Sequence, residues 1–87
     1  MRHVSPEGLD QLEPLLEDLR TLAGLKEKKR GVFYRKSRAF LHFHEDPKVE
    51  PAELAADVRL QGDLFERYPA NTRKDHAVLL RKIREVL

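Results

Sequence analysis

The 87 residues carry 17 Lys and Arg against 15 Asp and Glu, a formal net charge of +2, and no cysteine. A chain this short has material for one hydrophobic core, so a single domain over 1–87 is expected, and the missing thiols exclude disulfides and thiolate zinc sites. Met1-Arg2-His3-Val4 runs straight into Ser5-Pro6-Glu7, and no apolar run approaches membrane-spanning length, so a cytoplasmic chain without a membrane segment is expected.

Ser5-Pro6-Glu7 has the makings of a helix start: a hydroxyl cap, proline at the first helical position and an acid near the positive end of the dipole. Leu9, Leu12, Leu16, Leu19 and Leu22 then share one helical stripe. Pro14 removes an N–H within it, which predicts a kinked helix or a short turn followed by a helix over 13–23, closed by a left-handed Gly24. Lys26 to Arg30 reads as a charged connector.

From Gly31 the period becomes strand-like, with Val32-Phe33-Tyr34 and Ala39-Phe40-Leu41-His42-Phe43-His44 flanking Lys36-Ser37-Arg38. This predicts a β-hairpin over 31–45. A three-residue turn would place Phe33 opposite Leu41, and a two-residue Ser37-Arg38 turn would place Tyr34 there. Strict alternation sends Ala39, Leu41 and Phe43 to the core and Phe40, His42 and His44 to the other face. The prolines of 46–51 mark a loop, with Leu54 in a brief helical turn after it. A third strand over 55–60 then turns Val58 and Leu60 inward and Asp57 and Arg59 outward, and 64–68 is a fourth. Asn71 or Thr72 caps a final helix over 72–87, with His76 packed on its apolar side.

Helix, three or four antiparallel strands, helix: this order predicts a two-layer α+β fold with one face of the sheet buried and the other open. The open face would gather Phe40, His42, His44, Asp57 and Arg59. Histidines two apart on a strand point the same way, so His42 and His44 could share one metal ion, with Asp57 as third ligand. The same mixed patch suits a protein partner or a homodimer.

The acidic stretches 5–25 and 45–57 alternate with the basic stretches 26–38 and 72–87. Ion pairing between them is the simplest reading, and few amides among many charges give the chain a thermophile-like composition. Alternatively Lys28, Lys29, Arg30, Arg35, Lys36 and Arg38, interleaved with aromatic rings, could track a nucleic-acid backbone. No catalytic motif stands out. Only Ser5 and Ser37 offer hydroxymethyl nucleophiles, the glycines are scattered, and neither an enzyme nor a cofactor is expected.

The run Gly31-Val32-Phe33-Tyr34-Arg35-Lys36-Ser37-Arg38-Ala39-Phe40-Leu41-His42-Phe43-His44-Glu45-Asp46-Pro47, followed by Ala56-Asp57-Val58-Arg59-Leu60, resembles a group of short uncharacterised bacterial proteins. The resemblance extends from Leu25 onward and implies a shared fold, leaving activity open. In element order alone the chain is loosely similar to the YjbR-like α+β proteins.

Overall fold

The computed structural model describes residues 1–49 and 51–87. It is α+β, with the order β1 (Arg2–His3), α1 (Pro6–Arg20), β2 (Lys26–Lys29), β3 (Val32–Arg35), β4 (Arg38–Asp46), β5 (Glu53–Val58), β6 (Glu66–Pro69) and α2 (Arg73–Val86). The strands form one antiparallel sheet ordered β2-β3-β4-β5-β6, and β1 pairs with β4. Six strands therefore replace the expected three or four. Lys26–Lys29 is a strand and not a connector: as an edge strand it has too little burial to show an apolar period. At the opposite margin β6 ends in Pro69. No helix among the described residues is long and apolar enough to cross a membrane.

Ser5 caps α1 through its hydroxyl, which accepts from the Gly8 N–H. Contrary to the expected kink or split at 13–23, α1 runs as one helix with Pro14 inside it, on the exposed side. There, water can satisfy the carbonyl that loses its partner. The helix stops at Thr21, in right-handed conformation, and Gly24 is not among the residues with positive φ. Its end needs no left-handed residue, because the Thr21 N–H bonds back to the Asp18 carbonyl and the Leu22 N–H to the Leu19 carbonyl. Thr72 caps α2 in a reciprocal capping box with Asp75. Asn71 instead accepts the Leu54 N–H, and Leu54 lies within β5 rather than in a helical turn.

Leu12, Leu15, Leu16 and Leu19 of α1 and Leu79, Leu80 and Ile83 of α2 join Phe33, Leu41, Phe43, Leu54, Ala56 and Val58 in one core. Of the acidic and basic stretches, 5–25 pairs with 26–38, while Glu45 and Asp57 of 45–57 meet Arg2 and Arg67, outside the basic stretches, and 72–87 has no ion pair among the described residues. Arg20 bridges Glu13 and Glu27, and Arg30 reaches Asp10 and Glu13, tying α1 to β2 and the turn after it.

The hairpin resolves its register in a way neither simple turn anticipates. Lys36 and Ser37 both have positive φ and form a two-residue turn closed by Arg35 opposite Arg38, yet Phe33 faces Leu41. Both hold because β4 carries one extra residue between Ala39 and Leu41. That residue is Phe40, which is 3% exposed and belongs to the core. Phe40 is thus removed from the open face, where alternation had placed it. Of the expected loop 46–51, β4 takes Asp46, and Glu50 lies outside the described residues.

Glu45 is the buried carboxylate that docks the N-terminal segment. It accepts from the Ser5 N–H and hydroxyl, both at 2.7 Å, and from the Arg2 guanidinium at 2.9 and 3.2 Å. These bonds, the two from Ser5 foremost, hold its pKa down at about 2. A carboxyl depressed on folding stabilises fully above its unfolded value of ~4.3 and loses that contribution as pH falls through the folded value. Urea unfolding should therefore show stability declining from about pH 4.3 toward pH 2, and Glu45→Gln should flatten that decline. A second expectation concerns Gly31, at φ +80, where an added Cβ would stand 2.6 Å from Leu9 Cδ2. Gly31→Ala should cost about 1–3 kcal/mol in the same assay.

Candidate functional site

The open face centres on Asp57. β4 and β5 pair in register with His42 opposite Asp57 and His44 opposite Ala55, so both imidazoles and the carboxylate project from the same side. Asp57 Oδ2 stands 3.2 Å from His44 Nε2 and 3.5 Å from His42 Nε2. The three side chains are largely covered, at 27%, 14% and 12% exposure for His42, His44 and Asp57. One ligand atom from each lies within 4.8 Å of the others.

Arg67, opposite Asp57 on β6, donates from Nε to Oδ1 at 2.7 Å and from Nη2 to Oδ2 at 2.9 Å. This bidentate clamp, foremost, holds the Asp57 carboxyl below its usual range, against burial, which acts to raise it. Burial pushes His42 down from the ordinary imidazole value, His44 adds to the effect, and Asp57 opposes it. His42 is thereby favoured as the neutral base that a metal requires.

His44 is oriented from its other side. Its Nδ1 lies 3.2 Å from the backbone carbonyl of Arg2. A carbonyl only accepts, so Nδ1 carries the proton, and Nε2 is the nitrogen that faces Asp57. His3, across from His44 in the β1–β4 pair, stacks on it with ring centroids 5.1 Å apart. Phe65 meets His42 edge to face at 4.9 Å, and the Arg59 guanidinium lies 4.5 Å above the Phe65 ring. β1 and β3 share one edge of β4, and between them opens a cleft of about 620 Å³ lined by His3, Val4, Val32, Tyr34, Ala39 and His42.

Of the five residues expected on this face, the structure brings together His42, His44 and Asp57, places Arg59 over the neighbouring Phe65 and buries Phe40 elsewhere. His3, Phe65 and Arg67 were missed. For Arg67 a signal existed, since opposite charges favour directly opposed strand positions, but it needs the Asp57–Arg67 register to be known. The expected basic stretch is divided: Arg30 pairs with Asp10 and Glu13, Arg38 with Asp63, and Lys28 lies 5.5 Å from the Tyr34 ring centre. Lys29 lies on the edge strand, while Arg35 and Lys36 sit at the hairpin tip. Ser5 is occupied as a cap, Ser37 sits in the turn, and His76 packs with Nε2 3.0 Å from the Ala70 carbonyl.

Comparison with protein-family models, curated proteins and solved structures returned no match. The electrostatics of the site can be checked directly. In an NMR titration His42 should titrate below the ordinary imidazole value, and Asp57→Asn, which removes the group that raises it, should move it lower still.

Proposed function

We propose that the chain is a small binding module working through its open sheet face, and that this face holds a divalent transition-metal ion at His42, His44 and Asp57. The observation that carries the reading is donor spacing. With bonds near 2.0 Å, donors of a tetrahedral site lie ~3.3 Å apart; Asp57 Oδ2 stands 3.2 and 3.5 Å from the two Nε2 atoms, and one ligand atom from each of the three residues lies within 4.8 Å of the others.

Supporting groups agree with this reading. Two imidazoles and a carboxylate make a donor set suited to Zn²⁺, and a carbonyl on the far nitrogen of a ligating histidine is a recurrent orienting device. Arg67 would stay on Oδ1 while Oδ2 turns to the ion. Three protein donors leave a fourth position for water or a small ligand, beside the cleft that His42 lines.

A second reading, in which the face pairs with a second copy of the chain, is favoured by the exposure of Leu64 (79%) and Phe65 (38%) next to the site. Both are tested on one sample. Titration with Zn²⁺ after chelator treatment should give one bound ion per chain. The double variant His42→Ala/His44→Ala should lower affinity by more than about a hundredfold, beyond the range of outer-shell substitutions, with circular dichroism unchanged. Absence of stoichiometric binding, or binding indifferent to the substitutions, refutes the metal site. A dimer by light scattering that dissociates in Phe65→Glu would establish the paired face instead.

A further inference from the structure

Away from the histidines, the tip of the β3–β4 hairpin and the segment after β5 enclose a small cavity of about 150 Å³, lined in part by Arg35, Lys36, Arg38, Phe40, Arg59 and Gly62. Four of these side chains are cationic and none is acidic. Arg2, Arg20, Arg30 and Arg67 each meet a carboxylate, whereas among the described residues the cavity's arginines have one ion pair, Arg38 with Asp63 at 2.8 Å, and Arg73, Arg81 and Arg84 of α2 have none. Among the described residues Arg35, Lys36 and Arg59 have no ion pair.

Arg59 adds a second observation. Its Nε is buried and has no hydrogen-bond partner among the described residues. A guanidinium N–H taken from water without an acceptor is costly, and such a group in a native structure calls for an explanation. Packing of the guanidinium on the Phe65 ring accounts for where it is held, and because Nε is closed to solvent there, a ligand oxygen meets it only when the side chain turns toward the cavity.

We propose that this cavity binds the phosphate group of a small phosphorylated molecule. A guanidinium presents its donors in a planar fork matched to phosphate oxygens, and Arg35, Lys36 and Arg38 would share the remaining charge. The size sets the class of ligand: at ~30 Å³ per water the cavity holds about five waters, enough for a phosphate but not for a base and sugar. The rest of the ligand would project into solvent. The Arg38–Asp63 pair is exposed on both sides, at 60% and 81%, so phosphate can displace the carboxylate at little cost. Asp63 competes for the cation that the ligand needs.

The test is an NMR titration of the full chain, kept metal-free so that the result is independent of His42 and His44, with inorganic phosphate and separately with a nucleoside 5′-monophosphate. Saturable shifts confined to 35–40 and 59–63 are expected with both probes. Arg59→Gln should weaken binding by about tenfold or more, Lys36→Gln in the exposed turn should weaken it less, and Asp63→Asn should tighten it. Tighter binding of inorganic phosphate than of the monophosphate would identify the free ion as ligand, and the reverse order an esterified phosphate. Shifts that never saturate, or equal losses for Lys36→Gln and for Lys74→Gln on α2, would reduce the effect to net charge and overturn the site. Affinity that climbs with the length of a single-stranded oligonucleotide would overturn it in favour of a nucleic-acid groove.

Discussion

The buried carboxylate of Glu45 is the constraint on which the geometry of the open face depends. It lies near the end of β4 and is met by four hydrogen bonds from Arg2 and Ser5. Those bonds hold a two-residue strand that could not stand alone. They also fix the start of α1, where Gly8 is packed so closely that a Cβ would lie 2.8 Å from Glu45 Oε1. With β1 docked, the Arg2 carbonyl reaches His44 and His3 stacks on it. A group turned toward the core side of β4 thus determines how a histidine on the opposite side presents its free nitrogen.

The two candidate sites divide the charge of this small surface. At the centre of the sheet a carboxylate is kept ionised by one arginine while burial favours the neutral form of the adjacent imidazole. At the hairpin tip four cationic side chains line the cavity, and one of them, Arg38, pairs with the exposed carboxylate of Asp63. Phe65 stands between them, touching His42 on one side and the Arg59 guanidinium on the other. The ring separates the two sets of groups sterically, at the expense of leaving a large side chain partly exposed.

Much of this was legible in the residues. The Ser5 and Thr72 caps, the hairpin, the strand containing Asp57 and the final helix follow from local chemistry and period, and the pairing of His42 with His44 needs only strand alternation. What escaped had no local signature. β2 is an edge strand of Lys26-Glu27-Lys28-Lys29 with no apolar phase, and β1 is defined by its partner rather than by its own sequence. Arg67 and His3 enter the site through registers, 57 with 67 and 3 with 44, that only the folded sheet supplies. Phe40 was misplaced because alternation assumes a regular ladder, and the ladder is irregular at that residue.

The irregularity also has a meaning for how such a chain can vary. Ala39 and Leu41 already stand on the faces they would occupy as adjacent residues of an unbroken strand, so Phe40 behaves as an insertion that adds an aromatic ring to the core without changing the phase of anything around it. Divergent versions of this fold can therefore lack this one residue at the hairpin and keep both histidines aimed at the carboxylate. Length differences among them should collect between the turn and Leu41, while the spacing from His42 to Asp57 admits changes only in the connection after Asp46.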